Sequence, residues 1–236
     1  MSEARPWVRP RILIGAAVVV VIIALVVGGV VWRGGGADKT ANARAHAKTT
    51  SSPGTIEGPK APVVSPAMIT GNQKAPVLIE EFADYQCAAC GDFSRDIAPA
   101  LIRKYVNAGV VRIAWRDLPE NGKQSEAAAI AGRAAARQNK FWPFNRVVFA
   151  LKPTEKNGKL TSEALRGAAK SAGLDLAKYD ADIKDPALRT AAEQDRAFAD
   201  ALGVPGPPAF LINGQAFNGA QPLAKFEKAI QQARKG

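Results

Sequence analysis

Cys87-Ala88-Ala89-Cys90 holds both cysteines of the 236-residue chain, at the junction between an apolar run and a helical pattern. Upstream, Val77-Leu78-Ile79-Glu80-Glu81-Phe82 reads as a mostly buried strand. Downstream, Phe93, Ile97, Leu101 and Tyr105 recur every fourth residue, the stripe of an amphipathic helix. A cysteine at the start of a helix sits among unpaired backbone N–H groups and at the positive end of the macrodipole, which together favour the thiolate. The thiolate is the form that attacks disulfides. A second cysteine one turn later is within reach of a mixed disulfide on the first, so this spacing suits a dithiol–disulfide redox centre.

Other uses of two cysteines fit less well. Structural zinc needs about four ligands, and the chain adds a single histidine, His46, in a stretch that reads as a linker. A disulfide made only for stability gains with loop length, and this loop is nearly the shortest there is. Copper carriers use soft sulfur ligands, yet Met1 and Met68 are the only methionines. No metal is expected.

The elements that must position the pair can be traced along the chain. Val77–Ala83 forms the strand, Gln86 or Cys87 opens the helix, and Pro99 should kink it or end its first segment. Asn107-Ala108-Gly109 turns the chain into a second strand, residues 110–115. Residues 124–202 are almost wholly helical, with the alanine-rich stretch 127–136 high in intrinsic propensity and bends at Pro143, Pro153 and Asn157-Gly158. Asp185-Pro186 opens the last of these helices and Gly203 caps its end. Residues 208–212 and 215–218 flank Asn213-Gly214, a type I′ hairpin sequence. Leu223, Phe226, Ile230 and Ala233 stripe a final helix.

The N-terminus indicates the compartment. Residues 12–31 carry no charge and match the roughly 20 residues that cross a bilayer. Arg5, Arg9 and Arg11 precede the run and Arg33 alone follows closely, which places residues 1–11 in the cytoplasm and the rest outside. The run exceeds the apolar core of a cleaved signal peptide, and the A-x-A patterns at 43–45 and 45–47 lie well past its end, so residues 12–32 are expected to remain as a signal anchor. Residues 33–64 are small and polar and read as a flexible linker. Residues 65–236 then form one domain of a size that supports its own core. The net charge of +11 is spread, with eight Lys/Arg against three Asp/Glu in residues 1–64. No basic face with interleaved aromatics suggests nucleic acid. Outside the cytoplasm, disulfides form and persist.

From Ile69 to Ala233 the chain resembles the DsbA family of extracytoplasmic thiol oxidoreductases. The resemblance is carried by the segment Glu81-Phe82-Ala83-Asp84-Tyr85-Gln86-Cys87-Ala88-Ala89-Cys90, by Phe141-Trp142-Pro143-Phe144 with Val147, Val148 and Phe149, and by Gly203-Val204-Pro205-Gly206-Pro207-Pro208-Ala209-Phe210-Leu211-Ile212-Asn213-Gly214. It implies an α/β, thioredoxin-like fold with an inserted helical domain, about residues 120–202, behind a single N-terminal transmembrane helix. By position, Cys87 matches the exposed nucleophile, Cys90 the buried resolving cysteine, and Pro208 a cis-proline that shapes the substrate groove. Glu81 matches a buried acid that accepts a proton from Cys90, although Glu80 and Glu81 alternate along the strand and point to opposite faces.

Two departures stand out. Many relatives place Pro-His between the cysteines; Ala88-Ala89 supplies neither charge nor hydrogen bond, which predicts a less acidic Cys87 and a less oxidising centre. Relatives usually have threonine or valine before the cis-proline; Pro207 has no N–H to pair with an extended substrate. The implied activity is oxidation of dithiols in exported proteins at the Cys87–Cys90 pair, with no other cofactor. A membrane redox partner, quinone-linked by the resemblance, would reoxidise the pair. The tether is too short and polar for a dimerisation region, so a monomer is expected. A reductase or isomerase fed by a membrane electron donor, or a non-catalytic module that holds polypeptides, are the alternatives.

Overall fold

The computed structural model describes residues 59–151 and 160–235. The expected cytoplasmic segment, membrane anchor and most of the linker lie outside those residues, as do Pro153 and Asn157-Gly158. Among the described residues, no helix is long and apolar enough to cross a membrane.

Five strands form one sheet in the order β1-β3-β2-β4-β5, with β1 Ile69–Thr70, β2 Val77–Ala83, β3 Val111–Asp117, β4 Ala209–Ile212 and β5 Gln215–Asn218. The two central strands run parallel, Glu81 opposite Trp115, and the remaining pairs are antiparallel. β2 alternates its side chains between two covered faces, which is why it reads as a nearly continuous apolar run. Val77 and Ile79 pack with Phe93, Leu101, Phe210, Phe226 and Ile230 on one face. Phe82 packs with Leu118, Phe198 and Ala199 on the other.

The chain between β2 and β3 departs from the single kinked helix the stripe suggests. Short α-helices α1 Ala88–Asp92 and α2 Ala98–Leu101 alternate with π-helical turns at Phe93–Ile97 and Ile102–Val106. An apolar residue at every fourth position outruns the turn of about 3.6 residues, and the wider i→i+5 turns restore the register. Phe93, Leu101 and Tyr105 are all buried as a result. Pro99, which has no N–H, is the second residue of α2, in its first turn.

The insert is built from α3 Lys123–Arg137, α4 Phe141–Ala150, α5 Ser162–Ser171, α6 Leu176–Asp182 and α7 Pro186–Ala201; α8 Leu223–Ala233 follows the hairpin. Asp185 caps α7 by accepting the Ala187 N–H at 2.9 Å, and Gly203 at φ 68° ends it, both as the sequence predicts. Asn213 and Gly214, at φ 46° and 79°, make the tight hairpin turn.

A buried ionic network joins the sheet to the insert. Arg116 binds Glu80 and Asp195 at 2.7 and 2.9 Å, and Arg133 binds Asp117 and Asp195. Arg116 also donates to the Pro62 carbonyl at 2.7 Å, which docks the end of the expected linker on the domain. Breaking a buried pair from one side strands a charge, so Asp195→Ala should cost about 3–5 kcal/mol in urea unfolding. A loss below about 1 kcal/mol would show that the network is solvated.

Candidate active site

Cys87 is the N-cap of α1, and its sulfur accepts the Cys90 N–H at 3.2 Å. That contact follows from a chain that leaves β2 through Asp84-Tyr85-Gln86 and turns sharply. Asp84 closes the turn by accepting the Gln86 N–H at 2.7 Å. Its other oxygen accepts the backbone N–H groups of Glu120 and Asn121, each at 2.9 Å, and the Asn121 side chain. One buried carboxylate therefore fixes both the redox turn and the loop entering the insert. Sequence reading missed this role of Asp84; an aspartate three residues before the cap, able to accept the N–H two residues on, is the local signal that marks such a turn.

The two cysteines are free thiols in different surroundings. Cys87 is half-buried, with Ala88 and Ala89 exposed beside it, while Cys90 is fully buried. The Cys90 thiol hydrogen-bonding to it holds Cys87 below the ordinary cysteine range; the backbone N–H groups of Cys90 and Ala89 add to this, against partial burial and the charge of Asp84. Burial, then the Cys87 sulfur, pushes Cys90 far above the ordinary range. Cys87 is therefore the sulfur disposed to be a thiolate, and Cys90 the one disposed to keep its proton.

The loop before β4 comes to this site from the far end of the chain. The Pro207–Pro208 peptide bond is cis, and the Cys87 thiol donates to the Pro207 carbonyl at 3.3 Å. Pro207 thus turns an acceptor toward the sulfur, and it has no N–H to present. Pro208, the residue before β4, is buried.

Glu81 lies beneath the pair, only 4% exposed, and its pKa is pushed up to about 8 by burial and, secondarily, by the charge of Cys87. Its neighbour Glu80 points to the opposite face and is held by Arg116, so neither glutamate is a free surface group. The structure brings Cys87, Cys90, Glu81, Pro207 and Pro208 together. Around them the sheet and the insert together supply an aromatic wall. Tyr85 stacks on Trp115 with ring centroids 5.0 Å apart and meets Phe149 at 5.2 Å. Gly132 in α3 makes room for Tyr85, since a Cβ there would lie 2.8 Å from its hydroxyl.

Comparison with known proteins agrees with this geometry. The model of the family described as Thioredoxin matches residues 64–232. The "Probable disulfide bond formation protein D" of Bacillus anthracis is 28% identical over 169 residues, covering 70% of this chain and 77% of that protein. The crystal structure of oxidised BdbD from Bacillus subtilis superposes with a TM-score of 0.67 at 23% identity, covering 72% of this chain and 93% of that one. The thiol-disulfide exchange protein alpha-DsbA2 from Wolbachia pipientis gives a TM-score of 0.61 at 26% identity, covering 70% of this chain and 85% of that one. The chain shares with these structures the thioredoxin-like sheet interrupted by a helical insert.

Proposed function

Because the chain belongs to the thioredoxin family, we propose that it is a thiol–disulfide oxidoreductase that oxidises dithiols in exported proteins. The observation that carries this reading is the asymmetry of the pair: a half-buried Cys87 at a helix cap with its thiolate favoured, and a fully buried Cys90 with its thiol favoured. The names of the relatives, concerned with disulfide bond formation and thiol–disulfide exchange, support it.

In the proposed reaction a substrate thiolate attacks Cys87 Sγ of the disulfide form. The Cys87–Cys90 bond breaks, and its electron pair leaves on Cys90, which takes up a proton. The second substrate thiolate then attacks the substrate sulfur of the mixed disulfide and expels Cys87 as a thiolate. Two electrons pass from the substrate to the cysteine pair, and no other cofactor is needed. Glu81, mostly protonated at neutral pH, is the donor in reach of Cys90. Pro207 and Pro208 form the wall against which the substrate segment lies, with Pro207 offering a carbonyl and no N–H.

In this proposal residues 12–32 anchor the monomeric domain on the outer side of the cell membrane. A membrane oxidant, quinone-linked, would restore the disulfide. The uncharged side chains of Ala88 and Ala89 and the Pro207 carbonyl beside Cys87 add no stabilisation to the thiolate, and they favour a second reading as a reductase fed by a membrane donor.

Trapping tests the chemistry. In Cys90→Ala, Cys87 is first converted to its mixed disulfide with thionitrobenzoate by Ellman's reagent. This form should release thionitrobenzoate on reaction with a single-cysteine substrate peptide and accumulate the Cys87–peptide mixed disulfide, visible by non-reducing electrophoresis and mass spectrometry. Cys87→Ala should accumulate none. Equal trapping by both variants, or by neither, would overturn the assignment of roles.

A further inference from the structure

The rim of the redox centre carries a negative charge that the dithiol chemistry does not use. Glu120 lies in the loop that enters the insert, and its backbone N–H is held by Asp84 at 2.9 Å. Its exposed side chain reaches the loop before β4, where a Cβ at Gly206 would lie 3.3 Å from Glu120 Oε2. Glycine at that position, with φ 143°, lets the carboxylate come this close to the backbone. Gly206 precedes Pro207, whose carbonyl accepts from the Cys87 thiol at 3.3 Å. The carboxylate is therefore a short step along the loop from the reacting sulfur, beside the wall against which the substrate segment lies.

No cation neutralises this charge. None of the ion pairs among the described residues includes Glu120. Asp84 is likewise satisfied by N–H groups alone, from the backbones of Gln86, Glu120 and Asn121 and from the Asn121 side chain. The charge of Asp84 reaches Cys87, where it opposes the thiolate. Lys123, the nearest basic residue along the chain, lines a separate cavity with Glu126, Ser162 and Tyr179. The whole chain carries a net charge of +11. Its overall field repels cations, so a local charge is what draws one to this rim.

We propose that Glu120 sets substrate preference, selecting cysteines flanked by lysine or arginine. This rests on the dithiol oxidation proposed above. A residue one or two places from the attacked cysteine lies about 3–7 Å along an extended segment, within side-chain reach of a carboxylate at Gly206. A basic residue there pairs with Glu120 and also favours the substrate thiolate that attacks Cys87 Sγ. An acidic residue there is repelled by Glu120 and by Asp84. The chemistry itself is unchanged: two substrate thiols become a disulfide as the Cys87–Cys90 disulfide becomes two thiols. An exposed pair of this kind is worth about threefold in rate, and attraction against repulsion about tenfold.

The test compares dithiol peptides of one sequence, with either lysine or glutamate on both sides of the first cysteine. Oxidation by the full chain in its disulfide form is followed in a single turnover at about pH 7 and low salt. Each rate is divided by the same peptide's rate with hydroxyethyl disulfide, an uncharged oxidant, which removes the effect of the flanking charge on the thiol itself. The lysine peptide should react about tenfold faster than the glutamate peptide, and the ratio should shrink toward one in about 0.5 M salt. Glu120→Gln should cut the ratio to about threefold or less, and Glu120→Lys should reverse the order. Both variants keep the backbone N–H that Asp84 accepts. A native ratio near one, or a ratio that survives in both variants, overturns the role of Glu120 while dithiol oxidation stands. If the chain oxidises neither peptide, the dithiol reading falls, and the preference with it.

Discussion

Cys87→Ser should abolish thiol–disulfide exchange, lowering the rate by at least about a thousandfold, the scale of removing a catalytic nucleophile. The fold should barely notice. Cys87 is half-buried, and a serine oxygen at an N-cap accepts the same backbone N–H that the sulfur accepts from Cys90. Stability measured by urea unfolding should therefore stay within about 1 kcal/mol of native. Cys90→Ser should behave differently, because Cys90 is fully buried and its hydroxyl would enter an apolar site. A stability loss of about 1–3 kcal/mol is expected there. Equal stability losses in the two variants would contradict the asymmetric burial on which the assignment of roles depends.

Glu81→Gln should stabilise the protein in a pH-dependent way. The carboxyl titrates near its ordinary value of 4.5 in the unfolded chain and at about 8 in the folded one. Between those values the folded state binds more protons than the unfolded state, so native stability falls as pH rises. The fall reaches on the order of 4 kcal/mol by about pH 8 and then levels off, since each pKa unit is worth about 1.4 kcal/mol. Below about pH 4.5 the carboxyl is neutral in both states and imposes no such cost. Glutamine carries no titratable proton, so the variant should match the native protein near pH 4 and exceed it by several kcal/mol near pH 8. Paired urea melts at the two pH values read this directly. A constant difference between variant and native would mean that Glu81 keeps an ordinary pKa. Retaining a carboxyl that weakens the fold at neutral pH is consistent with its use in proton transfer.

Much of the site was legible because its parts are local. The apolar run 77–83, the cysteine spacing, the Asn213-Gly214 turn and the Asp185 cap each announce themselves within a few residues, and each forms as read. The approach of the Pro207–Pro208 loop to Cys87 came from resemblance alone, since nothing local brings together residues 120 positions apart. The ionic network was not legible for the same reason: Arg116 and Asp195 are 79 residues apart and meet only when α7 packs on the sheet. Glu80 and Glu81 consequently read only as alternating residues on opposite faces of the strand, with no sign of the Arg116 partner that holds Glu80. The π-helical turns were also missed, because a stripe at every fourth residue fits an ordinary helix closely enough over one or two turns. Those turns, through Phe93, Ser94, Ile102 and Arg103, help to line a cavity that Glu81 also borders, so that cavity could not be read from periodicity.

The most direct measurement is the reduction potential of the Cys87–Cys90 pair, determined on the domain as it exists in the full chain by equilibration in glutathione buffers. A value more oxidising than about −180 mV is expected, high enough to draw electrons from the thiols of exported proteins. A value near −270 mV, that of a general cytosolic reductant, would contradict dithiol oxidation and assign the pair to a reductase fed from the membrane.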